Sequence, residues 1–414
     1  MNGTKKTVRK SFGYRSCDDF AAYLNHMARK GWHFREYRAG LVFEEGPPEE
    51  AVFAVEVFPK AEEADTRPVP ETEEFAEYCE AAGWKFLDAW SKFVVFKRIR
   101  PDAVPIMTDA ERFEAVSKTV GRRVWRSLIT AALWCVLMIL QFQTGFKYRI
   151  FQNRELIMVF VWFLLFVLAA AESLNFLHWK RKCAQRMDRG LPLFLGHDKS
   201  DRWGRRIYLG ILALQILAFL YLGFTMIALI LLGTVAALVL MEFLLCRFRP
   251  NSDISAIVRI LGVTAILLGA LTAGTYAVQL EGRQNQVIPD PPVVYSDIWN
   301  DGGEPEDIYT SHRESIFGSW DTCRLEYEDA ELSYEIFRSD HTWVLDGLWR
   351  DILKGRAVKQ GTDCTDLWNA EIAILSTDGS CKVRYENAIL DIRCDRNPLT
   401  EADISAIIEA FDLR

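Results

Sequence analysis

Hydrophobic and polar positions follow two length scales along this chain. Between residues 127 and 280 they separate into blocks. Five apolar stretches, near 127–143, 156–177, 207–224, 225–246 and 256–280, alternate with charged connections. A hydrocarbon core about 30 Å thick is crossed by about 20 apolar helical residues, so each stretch is a candidate span. The third and fourth abut. As one helix their 40 residues would reach roughly 60 Å, twice the core. A tight helical hairpin near Gly223 and Thr225 is therefore expected. Without it the chain would cross four times and its C-terminus would return to the starting side.

Charge in the connections predicts orientation. Arg122, Arg123 and Arg126 precede the first stretch, residues 178–206 carry nine Lys and Arg, and Arg247 and Arg249 follow the fourth. The opposite connections hold only Lys147, Arg149 and Arg154, and the 223–225 turn holds none. Basic residues favour the cytoplasmic side, which places the N-terminus in the cytoplasm and, with five spans, the C-terminus outside. Met1 to Arg15 is polar and basic, so it does not read as a cleavable signal peptide. Glu172, Glu242 and Arg259 fall near span ends rather than the midplane, which argues against a proton-coupled pump. Gly269, Ala270, Ala273 and Gly274 space small residues for close helix packing.

Outside the blocks the periodicity is that of small α+β domains. In residues 1–104, Lys5 to Tyr14 reads as a strand, and Cys17 to Lys30 as a helix with Phe20, Leu24 and Met27 on one side. Gly31-Trp32 stops that helix. His33–Glu45 and Ala51–Phe58 read as strands joined at Gly46-Pro47-Pro48, the second covered on both faces because Glu56 is its lone polar residue. The pattern then repeats. Phe75 to Gly83-Trp84 and on to Val95-Phe96 echoes Phe20 to Gly31-Trp32 and on to Val42-Phe43, with the Gly-Trp pairs 52 residues apart. Two helix-plus-strand copies behind a leading strand predict a ferredoxin-like split arrangement whose Trp and Phe residues form the core. The stretch Phe20 through Gly31-Trp32 to Val42-Phe43-Glu44 resembles an uncharacterised bacterial membrane protein family, domain of unknown function twenty-eight-twelve. Its members pair such a unit with a few membrane spans, and no activity, cofactor or functional residue comes with the resemblance.

Residues 282–308 are rich in Pro, Asp, Gly and Glu and read as a linker. Residues 309–414 then read as a compact α+β domain. Strands are expected at 331–338, 371–375, 382–385 and 389–394, with a hairpin at Asp378-Gly379. A helix over 340–354 presents Leu345, Leu348, Trp349 and Ile352 on one face, and Thr400 with Asp403 caps a terminal helix. Four of the nine cysteines, Cys323, Cys364, Cys381 and Cys394, lie here. An even number in an extracytoplasmic domain makes them candidates for up to two disulfides, with buried free thiols as the alternative.

The fold class is thus a multi-domain membrane protein: an N-terminal α+β ferredoxin-like repeat unit, an all-α five-helix transmembrane domain over 105–281, and a small C-terminal α+β domain. Charge sharpens this picture. Residues 282–414 hold 13 Lys and Arg against 27 Asp and Glu, which disfavours nucleic acid there, whereas 101–281 hold 20 against 12. Catalytic signatures are missing: no His-Glu-x-x-His, phosphate loop, dinucleotide fingerprint or nucleophile elbow occurs, and the six histidines are scattered. Asn300 to Glu304 does not fit calcium-loop spacing. No cofactor or metal is expected. The favoured reading is a non-enzymatic signalling or adaptor protein in the plasma membrane of a bacterium, with the lipid bilayer and a cytoplasmic protein as partners. An accessory subunit of a membrane transporter is the alternative. A third reading, an enzyme of unfamiliar type using Glu172 and Glu242, has only those two interfacial carboxylates behind it.

Overall fold

The computed structural model describes residues 4–196, 200–221, 223–284, 291, 293–298, 305–328, 330–394 and 399–413. Its N-terminal part runs β1 (Lys5–Val8), α1 (Cys17–Arg29), β2 (Trp32–Tyr37), β3 (Leu41–Glu45), β4 (Phe53–Val57), α2 (Pro70–Ala81), β5 (Trp84–Trp90) and β6 (Phe93–Arg98). The repeat expected from sequence is present, but its arrangement differs from a ferredoxin-like sheet. Two separate three-stranded sheets form, ordered β1-β3-β2 and β4-β6-β5, with every pairing antiparallel. Each copy is β-α-β-β with its third strand central. Because β3 is bonded on both edges, β4 has no edge there and begins a new sheet. The stretch expected as one strand over 33–45 is a hairpin, turned where Ala39 takes a φ of 53°. The Gly46-Pro47-Pro48 segment accordingly links two sheets rather than two paired strands.

The Gly-Trp stops have a backbone cause. Gly31 and Gly83 end their helices at φ of +77° and +96°, a region that penalises a side chain. At Gly31 a Cβ would also lie 2.7 Å from the Gly46 carbonyl oxygen. Each copy then carries a bulge at the same place, between Phe34 and Glu36 and between Phe86 and Asp88. Phe20 and Leu24 of α1 pack with Phe34 and Phe43 of one sheet and Phe53 and Val55 of the other. The opposite face of the second sheet, Val94 and Phe96, is covered by Ala76 and Cys79 of α2. Strand β4 is therefore covered on both sides, as its pattern predicts.

Helices follow: α3 (Asp109–Thr144), α4 (Phe146–Arg149), α5 (Asn153–Asp188), α6 (Ser200–Tyr221), α7 (Thr225–Phe248) and α8 (Ser252–Gln284). Among the described residues four segments are long and apolar enough to cross a membrane: Asp109–Gln143, Asn153–Asp188, Thr225–Phe248 and Ser252–Ala277. A shorter apolar helix, Arg206–Tyr221, precedes the third. The chain does break where a hairpin is expected, with Gly223 at φ +81°. Helix α3 begins well before its apolar stretch, and its first turns, with Ala115, Val116, Val120 and Val124, are buried in the N-terminal core beside Phe176 and Cys183 of α5. That core thus runs past residue 104. A Cβ at Gly269 or Gly274 would meet no atom within 4 Å, so these two glycines are not sites of close helix contact among the described residues, whereas at Gly262 it would meet Met241 of α7 at 2.6 Å.

A second compact unit comprises Cys135–Val161, Tyr221–Gly223 and Val278–Arg414. After α9 (Tyr295–Ile298) come β7 (Asp307–Ser315), β8 (Gly318–Tyr327), β9 (Ala330–Arg338), α10 (Thr342–Ile352), α11 (Arg356–Lys359), β10 (Thr362–Asp363), α12 (Thr365–Trp368), β11 (Ile372–Leu375), β12 (Cys381–Arg384), β13 (Ala388–Cys394) and α13 (Glu401–Ala410). One antiparallel sheet results, ordered β10-β11-β12-β13-β9-β8-β7. The linker expected over 282–308 is narrower, since α8 extends to Gln284 and β7 starts at Asp307; residues 285–290, 292 and 299–304 within it, and His197 and Lys199 earlier, lie outside the described residues. One sheet face, with Leu332, Ile336 and Leu390, meets Ile404, Ile407 and Phe411 of α13. The other, with Trp320, Phe337 and Ile389, meets α10 together with Ile150 and Phe151. The expected cap is in place: Thr400 accepts from Asp403 N while the Asp403 carboxylate accepts from Thr400 N.

Candidate functional site

The bulge in each copy turns an acid toward the same cation. Glu36 and Asp88 occupy equivalent positions, and both approach Arg249 at the end of α7. The Arg249 guanidinium donates to both Asp88 carboxylate oxygens, at 3.0 and 2.7 Å, and to the carbonyls of Thr66 and Ala89 at 2.6 and 3.0 Å. Glu36 stands 3.5 Å away. Tyr37 N donates to Asp88 at 2.7 Å, and the Tyr37 ring stacks on Trp90 at 4.7 Å between centroids. Arg249 reaches this position from a left-handed backbone, φ 52°, a strained setting for a residue with a Cβ. Burial raises the Asp88 carboxyl above its usual range, with Arg249 opposing that rise.

A second buried cation anchors α3. Arg112 donates to Glu56 of β4 at 2.9 Å and to Asp18 of α1 at 2.6 Å. Asp18 also accepts from Leu195 N, and Asp109 from Leu193 N, which fixes the segment after α5. Two carboxylates share one guanidinium. Burial, reinforced by Asp18 and Asp109, pushes Glu56 up to about 7 against the pull of Arg112. The connection into α8 is held by Ser252, which donates to Asp65, and by Arg259, which donates to the Ala64 carbonyl and bonds Glu242 at 2.8 Å. Beside these contacts lies a cavity of about 310 Å³, walled by Tyr14, Tyr37, Trp90, Arg123 and Glu242.

The residues singled out from sequence divide into those brought together and those kept apart. Glu242 and Arg259 pair with one another. Glu172 lies on α5 and does not join them. His33 bonds the Pro47 carbonyl at 2.8 Å, and His312 bonds Asp321 at 2.5 Å; neither meets another histidine. Among the described residues no group of three or more His, Cys, Asp or Glu could hold a metal ion. All nine cysteines are free thiols in the structure. Cys364, Cys381 and Cys394 line one cavity of about 100 Å³, while Cys323 lies apart against Tyr334. Burial, reinforced by its two cysteine neighbours, raises the Cys381 thiol to about 12.

Glu36, Asp88, Arg249, Arg112, Glu56 and Asp18 were not legible as a set. One signal did exist: Glu36 and Asp88 are separated by the same 52 residues as Gly31 and Gly83.

Taken together, small N-terminal sheets, four helices apolar enough to span a membrane and a C-terminal sheet point to a membrane protein with soluble domains. Residues 16–129 match a family described as protein of unknown function, DUF2812. The match ends inside α3, beyond Val124, so it takes in the turns of that helix that complete the N-terminal core. No curated protein and no solved structure matches the chain.

Proposed function

We propose that this is a non-enzymatic signalling or adaptor protein of a bacterial plasma membrane, crossing five times, with the N-terminal unit in the cytoplasm and the C-terminal domain outside. The observation that carries this reading is the division of the connections between the two soluble units. The N-terminal unit binds the segment after α5 through Asp18 and Asp109, and the turn between α7 and α8 through Asp88 and Asp65. The connection between α3 and α5 belongs to the other unit, where Ile150 and Phe151 are fully buried. Alternate connections on alternate sides is the pattern five crossings require, and the basic connections are those held by the N-terminal unit.

Helices α3 and α5 supply the coupling. Each gives one end to each core: α3 provides Val116 and Phe142, and α5 provides Phe176 and Leu156. Displacement of such a helix perturbs both ends, which suits transmission better than chemistry. Cross-linked pull-down of the full chain from its native cells is the test. Recovery of a cytosolic regulator through residues 1–104 supports signalling. Recovery of a permease or transport ATPase replaces it with the accessory-subunit reading. Unchanged function of a Glu172→Gln, Glu242→Gln double variant removes the interfacial carboxylates as an active site.

A further inference from the structure

The first turns of α3 and the segment 59–64 enclose a groove of about 400 Å³ whose floor is a buried lysine. Lys92 lies in the β5–β6 turn and is 7% exposed. Its ammonium donates to the Pro59 carbonyl at 2.9 Å and to the Ala61 carbonyl. An ammonium has three donors, so one remains. Neither carbonyl neutralises the charge, and among the described residues no carboxylate forms an ion pair with it. The walls add Lys60, Arg122 and Arg126, which make no hydrogen bond or ion pair among the described residues, against Glu62 and Glu63. Arg122 and Arg126 lie one helical turn apart and share a face. The lining therefore carries a net positive charge; burial lowers the proton affinity of Lys92 and Arg122 adds to this, against Glu63, Asp65 and Glu62. A bound anion would relieve both. The apolar stretch of α3 begins directly after Arg126, at the depth where headgroups lie if that stretch spans the bilayer.

We propose that this groove binds the phosphodiester of an anionic phospholipid of the cytoplasmic leaflet, with Lys92 beneath the phosphate and Arg122 and Arg126 at its sides. The lipid then bridges the 59–64 segment, whose next residues contact α7 and α8, to the start of the first span. The inference rests on the cytoplasmic placement of the N-terminal unit proposed above, which cysteine labelling in cells tests separately.

The test uses the purified full chain, equilibrated with detergent micelles carrying phosphatidylcholine and graded phosphatidylglycerol and observed by native mass spectrometry. The wild type should retain one phosphatidylglycerol. The Arg122→Gln, Arg126→Gln variant, altered only at exposed side chains, should need at least roughly tenfold more phosphatidylglycerol for equal retention, as loss of charge-assisted contacts to phosphate implies. Equal retention by both proteins, or retention of phosphatidylcholine as readily, overturns the site whatever the topology. Displacement of the lipid by millimolar inorganic phosphate overturns the lipid assignment in favour of a free phosphate.

Discussion

Asp88→Ala is the most discriminating single change at the clasp. It deletes both carboxylate contacts to Arg249 and the acceptor for Tyr37 N, and it leaves the guanidinium with the Thr66 and Ala89 carbonyls and Glu36 at 3.5 Å. The two side chains are 10% and 6% exposed, so water does not replace what is lost. Removing one partner of a buried ion pair costs about 3–5 kcal/mol; because Glu36 remains, the low end, about 3 kcal/mol, applies. Glu36→Ala should cost under about 1 kcal/mol, because Glu36 is 34% exposed and more distant. Global unfolding is a poor readout in a chain with several cores. Hydrogen exchange by mass spectrometry of the full chain in detergent reads local opening instead. About 3 kcal/mol corresponds to roughly a hundredfold faster exchange, expected at the amide of Tyr37 and in peptides covering 84–98 and 247–256. Arg249→Met added to Asp88→Ala should recover much of the protection, since it removes the unpaired charge. Unchanged exchange in Asp88→Ala, or an equal effect from Glu36→Ala, would refute the idea that Asp88 and Arg249 fasten the N-terminal unit to α7.

Glu56 gives a pH signature: with its pKa raised to about 7 from 4.5, the native state takes up that proton first, so its contribution is full below about 4.5 and lost as pH rises through about 7. The free energy of local opening around β4, read by hydrogen exchange corrected for intrinsic rates, wild type minus Glu56→Gln, should therefore climb on acidification across that window, and a flat difference would contradict the shift. Phe151→Ala empties a fully buried site between the sheet and α10 and should cost about 3–5 kcal/mol, seen as faster exchange in 337–352 with 31–45 unaffected. If the C-terminal domain is extracytoplasmic, Cys381 should be found disulfide-linked to Cys364 or Cys394, and never to Cys323, in protein alkylated directly in intact cells. In that case external reduction adds two thiols to those that a membrane-impermeant maleimide labels in the unfolded domain, whereas no gain on reduction would mean that the three thiols stay free.

What could be read from sequence and what could not follow from the range of the interactions. Gly31-Trp32 and Gly83-Trp84 announce a repeat because the helix stop is local: a positive φ demands glycine whatever surrounds it. The capping pair Thr400 and Asp403 is equally local. Pairing of strands is not. Residues 33–45 carry strand-forming side chains on both sides of Ala39-Gly40, so one glycine is the main local sign of the turn, and with the turn overlooked goes the choice between one sheet and two. Strand β7 was hidden for a related reason. It is an edge strand with Thr310 its one buried residue, so its sequence is nearly as polar as a linker.

The clasp shows the same division at finer scale. Glu36 and Asp88 fall in equivalent places because each copy bulges one residue earlier, and a bulge re-aims the side chain that follows it. A repeat-aware reading could therefore pair the two acids. It could not supply Arg249, which lies 161 residues beyond Asp88 and looks, from sequence, like one more basic residue setting orientation. The same side chain can do both. A guanidinium at the end of α7 favours the cytoplasmic side during insertion, and afterwards two copies of one duplicated acid close around it. Duplication thus offers two candidate carboxylates for one cation, and burial distinguishes them: Asp88 is enclosed and bidentate, while Glu36 is left partly in solvent. The second copy then bears the anchoring role at this clasp, whereas at α3 both copies anchor, Asp18 of the first and Glu56 of the second meeting Arg112. Arg112 therefore ties both copies to α3, while the close contacts at the end of α7 come from the second copy, so loosening Asp88 would release α7 and leave α3 held by Asp18 and Glu56.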